Sequence, residues 1–510
     1  MSEPGERTPG SPGSGTNTPG PPSSRPLTLF EALLPILTML VLFLVGAVSL
    51  GLSPELLVAV LLGAAAVAGI IAARYGSTWD DIQRSTGDKF ASVLPAILIL
   101  LAIGMLIATW VLSGTIPFMV YWGVRLVNPR YLVLTAFLAT ATMSLFTGTS
   151  WGSAGTIGVA LMGTAAALHA PLAITAGAVV SGAYLGDKMS PLSDSTNISA
   201  IGAGAQLYRH IRHMMYTATP SFITCLVVYT LVARLVPVTA GGMPQSARTL
   251  LHDITAVFSL SWVVLLPPAI VIWSIIRKNP PALAITASSV IAAAIGVALQ
   301  GFSLHDAVLS LVAGFHTDMV AHAGADPAHM GDAFRTLVNR GGLYSMANTL
   351  IVIIAAFLLA GAMDVSGALN LLIDRMLAVV RSVFGLIGAT MAAGATMIAL
   401  TSHGGVTALV VGELFQKAYD ERDLARVNLS RSIEDSVTIT EPLMPWTVSA
   451  VFMATTLGVP TTHYAPWAVF CYGGPVFSLL IAGLYRYTGF GIRRAREGAH
   501  LERPVPPTVP

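Results

Sequence analysis

Gly186-Asp187-Lys188-Met189-Ser190-Pro191-Leu192-Ser193-Asp194-Ser195-Thr196-Asn197 follows directly on Ala170 to Leu185, a run that carries no charge. The stretch brings three charges, five hydroxyl or amide side chains and one proline. A charge at the centre of a bilayer costs about 2.5–3.5 kcal/mol on insertion scales, so ionisable groups behind such a run mark a candidate functional site. Proline removes a backbone donor and strains the turn before it, so a helix is expected to break here. Broken helices persist in membranes where they line a cavity. Alternatively, Asp187 and Lys188 cap a helix at the membrane surface.

The surroundings decide the fold class. The chain has 510 residues, 54% of them hydrophobic and only 10% charged, whereas a soluble domain carries about 25% charge. The apolar segments are long and continuous, unlike the short alternating strands of a membrane barrel. An all-α polytopic membrane protein follows. The net charge of +2 provides no basic field for nucleic acid. Cys225 and Cys471 sit far apart in apolar runs and suggest neither a disulfide framework nor a metal site; small buried core residues explain them.

A span needs about 20 apolar residues. Segments 29–50, 56–73, 93–112, 131–147, 152–168, 171–186, 217–236, 256–276, 282–299, 344–362, 383–400, 442–457 and 466–485 qualify, and 116–127, 303–315 and 405–416 read as half-helices or re-entrant pieces. About 11–13 transmembrane helices are expected. The domain organisation is a disordered tail over 1–27, a first membrane repeat over 28–237, a polar linker over 238–255, a second membrane repeat over 256–486 and a polar tail over 487–510. The first 26 residues, rich in Gly, Pro, Ser and Thr, cannot bury enough apolar surface to order. They do not read as a signal peptide, so the first span is expected to stay in the mature protein. Residues 316–342 hold three His, three Asp and two Arg and read as a long loop. Lys417, Arg422, Arg426 and Arg431, and the flank Arg486, Arg493, Arg494 and Arg496, read as cytoplasmic by the positive-inside rule. That puts the C-terminus in the cytoplasm; Arg7 and Arg25 leave the N-terminal side undecided.

The chain echoes itself. Thr149-Ser150-Trp151-Gly152-Ser153 recurs as Thr401-Ser402-His403-Gly404-Gly405, each after an apolar span. Some 35 residues beyond each copy lies an acidic cluster with hydroxyls and prolines, the second being Glu434-Asp435-Ser436-Val437-Thr438-Ile439-Thr440-Glu441-Pro442-Leu443-Met444-Pro445-Trp446. On identity alone Asp187 pairs with Asp435. Interruptions at corresponding positions of two halves are the best sequence pointer to a transporter's site.

These residue types suit cation exchange. A sodium ion needs oxygen ligands, and a carboxylate binds either a cation or a proton. Desolvation raises a carboxyl pKa and a nearby cation lowers it, so the two ions compete. Asp187, Asp194, Glu434 and Asp435 are the acids, with Asp187, Asp194 and Asp435 the candidate sodium ligands. Lys188 is a candidate counter-charge that pairs with an aspartate in sodium's absence. Ser190, Ser193, Ser195, Thr196, Asn197, Thr438 and Thr440 can add neutral oxygens, and Thr147, Thr149 and Ser150 can do so from the Gly-rich break.

The pattern around Thr147-Gly148-Thr149-Ser150-Trp151-Gly152, the run Gly182-Ala183-Tyr184-Leu185-Gly186-Asp187-Lys188-Met189-Ser190-Pro191-Leu192-Ser193-Asp194, and Leu429-Ser430-Arg431 through Glu434-Asp435 to Pro442-Leu443-Met444-Pro445-Trp446 resemble the NhaC-type sodium/proton antiporter family. The resemblance covers most of 29–485 and implies an inverted-repeat carrier with discontinuous helices at its site. That family also contains malate/lactate antiporters. Ser195 stands where Thr is usual, Thr447 where Asn is common, and Glu441 is an extra acid before Pro442. The resemblance implies a carrier of the inner cell membrane that exchanges sodium for protons, with no cofactor beyond those ions. The bilayer and a small cation are the expected partners, nucleic acid is not, and a homodimer is compatible with the class.

Other functions leave specific traces. An organic-acid or amino-acid exchanger on this scaffold would need a positive group, and Lys188 or Arg431 could serve, or half-helix N-termini. A membrane enzyme would need a nucleophile–base set or metal-ligand spacing, and the sequence has neither. Without a nucleotide-binding P-loop pattern, the energy source is an ion gradient. Several residues have structural alternatives. Glu434 and Asp435 could lie in a polar loop. Glu441 could be a first-turn acid at a helix dipole. His403 could be proton-responsive or an interior hydrogen-bonded histidine. Asp364 is expected at the end of a span, and Glu413 faces either a cavity or a helix edge. Trp151 and Trp446 shape a cavity or anchor at the interface.

Overall fold

The computed structural model describes residues 26–50, 54–235, 245–277, 279–369, 371–372, 375, 380 and 382–495. Most of the N-terminal tail (1–25), the linker's first part (238–244) and the tail beyond 495 lie outside the described residues. Helix dominates the rest, because in lipid every backbone donor and acceptor must be satisfied within its own segment. Among the described residues, nine helices are long and apolar enough to cross a membrane, or ten if one sharply bent pair counts as a single span. Large apolar side chains such as Phe30, Leu44, Ile70, Ile351 and Leu484 stand exposed on outer helices, where only lipid tails would cover them.

The expectation of 11–13 spans also counted 152–168, 171–186 and 442–457. Of these, 150–167 is helical throughout with a π turn at Ala154–Gly158, 171–186 is the 18-residue helix Leu172–Met189, and 442–457 is the short helix Val448–Leu457. Segment 256–276 is not one straight span: helix Gln245–Val257 and the segment Trp262–Ser274 meet at a bend of 101°. Ser261 caps the second piece, accepting Val263 N–H at 3.4 Å. The span expected to start at 217 begins earlier, with helix Leu207–Leu235. Its added N-terminal turns bury His210 and His213.

Trp79–Ser92 is a polar helix that apolarity could not reveal. Its capping box joins Thr78 and Asp81, and its Lys89 pairs with Asp364 at 3.1 Å. Asp364 is the penultimate residue of helix Ala347–Val365, at the end of a span as expected. Glu413 is exposed on the edge of helix Gly404–Asp420. Residues 316–342 fold into short 3-10 turns and helix Asp332–Val338. Phe334 of this stretch and Phe315 just before it pack against Phe258. Gly342 N–H donates to Gly104 O at 2.6 Å, and a Cβ at Gly104 would lie 2.6 Å from Gly342 O. Glycine alone permits that approach.

The two basic segments read as cytoplasmic lie side by side. Ala425 N–H donates to Arg493 O at 3.0 Å, and Asn428 Nδ2 donates to the same carbonyl at 2.7 Å. Arg431, grouped with those basic residues in the sequence, lies deeper. It is fully buried on helix Arg426–Ile433, with Nη1 donating to Gly491 O at 2.6 Å.

Candidate functional site

Two stretches with the same succession of breaks make the centre. In the first, helix Leu132–Thr147 ends at Gly148 in the left-handed region (φ 68°), and Thr149 is extended and caps the next turn through Gly152 N. A π-helical turn, Ala154–Gly158, then runs into helix Val159–Ala167. Helix Leu172–Met189 breaks at Ser190, Ser193 caps helix Asp194–Ala203 through Thr196 N, and Gly204 (φ 66°) ends it. In the second, helix Val383–Thr401 ends at Ser402 (φ 59°), His403 is extended, and helix Gly404–Asp420 follows. Helix Arg426–Ile433 and the π turn Glu434–Thr438 break before Thr447, which caps helix Val448–Leu457 through Ala450 N, and Gly458 (φ 71°) ends it.

Gly148 and Ser402, Thr149 and His403, Ser193 and Thr447, and Gly204 and Gly458 are each 254 positions apart. Side-chain bonds repeat at that offset: Thr147 Oγ1 meets Ser153 Oγ at 3.2 Å, and Thr401 Oγ1 meets Thr407 Oγ1. Contacts between the stretches are reciprocal. Trp151 stacks on Phe452 with ring centroids 4.4 Å apart, and a Cβ at the corresponding Gly405 would meet the corresponding Ile198 at 3.4 Å. This register pairs Asp187 with Glu441, six residues beyond the Asp435 that identity alone suggested. Pro191 and Pro445 pair in the same register.

A cavity of about 740 Å³ opens between the stretches, within the range of pockets for small ligands. Thr147, Thr149, Ser150, Asp187, Asp194, Asn197 and Thr438 of the expected site line it, with Trp151, Tyr184, His403, Gly404, Glu441 and Ser449. Asp187 is 8% exposed and Glu441 7%. The hydroxyls of Ser150 and Ser193 face the Asp187 carboxylate. Backbone N–H groups of Gly404 and Ser449 face the Glu441 carboxylate. Each acid therefore stands where the N-terminal ends of two helical segments converge, the positive ends of their dipoles.

Other expected residues lie elsewhere or are committed to the backbone. Asp435 is not with Asp187 and Asp194. It forms a fully buried ion pair with Lys188, and Thr217 Oγ1 donates to its Oδ1 at 3.2 Å. Ser190 Oγ accepts Leu192 N–H at 3.2 Å. Thr196 Oγ1 donates to the carbonyls of Asp187 and Lys188 at 3.3 and 3.2 Å. Asn197 Nδ2 donates to Ser193 O at 2.7 Å. Thr440 Oγ1 donates to Ser436 O at 2.5 Å. These bonds tie the side chains to the broken backbone, and Asn197 bonds through its Nδ2 while also lining the cavity. Glu434 is buried one helical turn from Thr438, whose Oγ1 donates to its Oε1 at 2.8 Å, while Oε2 makes no hydrogen bond. Glu434 and Asp435 are thus interior groups, not loop residues. Trp446 Nε1 donates to Ala399 O at 2.7 Å, and its half-buried ring packs edge-on against Phe43.

Glu441, Tyr184 and Ser449 lie in the cavity wall and were absent from the expected set. The 254-residue register would have identified Glu441; matching acid to acid concealed it. Among the described residues, no group of three His, Cys, Asp or Glu side chains is placed to hold a metal ion.

Residues 27–205 and 182–489 match the Na+/H+ antiporter family. The chain is similar to an uncharacterized Na+/H+ antiporter of Haemophilus influenzae, 42% identical over 470 residues that cover 92% of this chain and 98% of the relative. It is also similar to the Na+/H+ antiporter NhaC of Alkalihalophilus pseudofirmus, 32% identical over 83% of this chain and 88% of that protein. A malate-2H+/Na+-lactate antiporter of Bacillus subtilis is 29% identical over 91% of this chain and 95% of the relative.

Proposed function

Because this chain belongs to the Na+/H+ antiporter family, we propose that it exchanges sodium for protons across the cytoplasmic membrane by competition at the cavity carboxylates. Members of this family are transporters rather than enzymes. One observation carries the choice of cargo: Asp187, Asp194 and Glu441 line the cavity, and among the described residues of its wall there is no Lys or Arg. A carboxylate withdrawn from water is costly unless a proton or a cation neutralises it. Sodium arriving from one side displaces a proton from Asp187, and a proton arriving from the other side displaces sodium. The stretches 132–204 and 386–458 act as inverted repeats that rock around this cavity, so each face opens in turn. Residues 422–428 and 491–495 form the cytoplasmic face, in keeping with their Arg content. A homodimer in the membrane belongs to the same proposal.

The cavity volume favours one second reading, a larger cargo such as an organic acid or amino acid. Charge weighs against an organic anion: Lys188 is engaged by Asp435, Arg431 lies outside the cavity wall, and carboxylates of the chain already occupy the helix N-termini that would receive the substrate's own. Everted vesicles decide. Sodium is expected to collapse an imposed proton gradient, whereas malate, lactate and amino acids leave it standing. No response to sodium or lithium across the alkaline range, with the protein present, sinks the exchange reading.

A further inference from the structure

Glu441 stands apart from the acids marked by the sequence patterns, and its surroundings assign it a role. At the 254-residue register it corresponds to Asp187, and Gly404, beside it, corresponds to Ser150. The two pairs compensate in size. Asp187 is the shorter acid and meets a serine hydroxyl. Glu441 is longer by one methylene and meets a glycine with no side chain. A Cβ at Gly404 would lie 2.7 Å from Glu441 Oε2, inside van der Waals contact, so a side chain there would push the Glu441 carboxylate out of its present position. Glutamate and glycine together place a carboxylate in the second break where aspartate and serine place one in the first.

The same corner holds polar atoms that make no hydrogen bond. Glu434 is 1% exposed, with the Lys188 ammonium and the Ser199 hydroxyl near its carboxylate and no hydrogen bond made by Oε2. Its other oxygen takes the hydroxyl of Thr438, a cavity residue whose methyl would lie 3.9 Å from a Cβ at Gly404. Ser402 Oγ, in the left-handed break just before Gly404, is likewise buried and unpaired. An unsatisfied carboxylate oxygen in a protein interior calls for a cation or a proton.

We infer that Glu441 is a second ion-exchanging carboxylate of the cavity, the counterpart of Asp187, so that two acids change their proton or cation load in each transport cycle. This rests on the exchange function proposed above. It also assigns a function to Gly404, which sets how far the Glu441 carboxylate reaches.

The test uses the full-length protein in proteoliposomes with an internal pH dye. Two quantities are read: the sodium concentration for half-maximal proton flux, and the proton gradient that just balances a fixed sodium gradient, which gives protons moved per sodium. For Glu441→Gln, protons per sodium are expected to fall and half-saturation to rise by roughly tenfold or more, a change typical of altered ion ligation. Glu441→Asp is expected to weaken sodium binding by withdrawing the carboxylate, and Glu441→Asp with Gly404→Ser to recover most of it. Gly404→Ser alone is expected to impair exchange through its clash with Glu441. A folded Glu441→Gln protein with both quantities unchanged overturns the inference. Should that variant not fold, the double variant decides, and no recovery over Glu441→Asp overturns it as well. Sodium-independent proton flux in the wild-type protein is a separate result that removes the exchange reading itself and the second carboxylate with it.

Discussion

The ammonium of Lys188 and the carboxylate of Asp435 form an ion pair from which water is excluded, joining the last turn of helix Leu172–Met189 to the π turn Glu434–Thr438. The pair ties the first stretch to the second directly behind the cavity. Asp435 Oδ1 also accepts the Thr217 hydroxyl, while Oδ2 has no partner. The lysine thus engages Asp435 and leaves Asp187 free to meet an ion. The sequence offers Lys188 as a counter-charge for one of the candidate aspartates, and the aspartate it meets is Asp435, which does not line the cavity.

Removing one member of a buried ion pair leaves the other charge stranded, at a cost of about 3–5 kcal/mol. Lys188→Met or Asp435→Leu alone is therefore expected to lower the melting temperature of the detergent-solubilised protein sharply. The combined Lys188→Met/Asp435→Leu protein should melt above either single variant, since neither member of the pair is left stranded. Thermal unfolding followed by size-exclusion fluorescence measures all three. A double variant no more stable than the singles would show that the pair is not what the two charges contribute.

Asp187 and Ser190 are three residues apart and act differently. Asp187 lines the cavity, while Ser190 Oγ accepts Leu192 N–H. Asp187→Asn keeps the shape and removes the charge, so it is expected to abolish sodium-driven proton flux while the protein inserts and purifies normally. Ser190→Ala is expected to retain the sodium half-saturation and lose some stability, of the order of 1 kcal/mol for one net hydrogen bond. Persistent exchange in Asp187→Asn would remove that residue from the site.

Much of this was legible in the chain, and the gaps have physical causes. Spans such as Leu29–Gly46 and Pro281–Gln300 show because lipid demands continuous apolar helix. The break at Ser190–Ser193 shows because charge and proline follow an uncharged run. The register of the second break was obscured because backbone conformation, not residue identity, is what repeats. Ser402 adopts the left-handed turn that Gly148 adopts in the first half, and Thr447 caps where Ser193 caps. Matching acid to acid set Asp187 against Asp435 and left Glu441 as an extra. The bend at Ser261 was missed because hydropathy along a chain carries no direction. The burial of Arg431 was not visible because it falls in a run of basic residues that reads as a cytoplasmic flank, although it is fully buried.

The caps of the two half-helices offer a test of that register. Ser193 Oγ accepts Thr196 N–H at 3.3 Å, and Thr447 Oγ1 accepts Ala450 N–H at 3.3 Å. Losing such a cap costs about 1 kcal/mol. Thr447 Oγ1 also donates to Glu441 O at 2.6 Å. Thr447→Ala is thus expected to destabilise more than the cap alone and to weaken sodium binding through Glu441, whereas Thr447→Ser restores both. Melting temperature and sodium half-saturation, measured on the same preparations, separate the two effects; equal melting of Thr447→Ala and wild type would refute the cap.

The left-handed breaks make the sharpest contrast, because they share a backbone conformation and differ in side chain. Gly148 has φ 68°, and a Cβ there would lie 2.7 Å from the Leu192 carbonyl carbon and Cβ. Leu192 belongs to the break after Asp187, so the two breaks of the first half touch at Gly148 with no room for a methyl group. Gly148→Ala adds both the left-handed penalty, about 1–2 kcal/mol, and this clash. It is expected to lower stability severely and to displace Asp187, with loss of exchange in whatever protein folds. Ser402 takes φ 59° with a side chain already present and its Oγ unpaired. Ser402→Gly relieves the strain, and is expected to leave the protein as stable as wild type or to raise its stability by about 1 kcal/mol. The two melting shifts should therefore have opposite signs, or a large loss should stand against none. A destabilisation by Ser402→Gly as large as that from Gly148→Ala would mean that the serine hydroxyl, rather than the backbone turn, holds the second break.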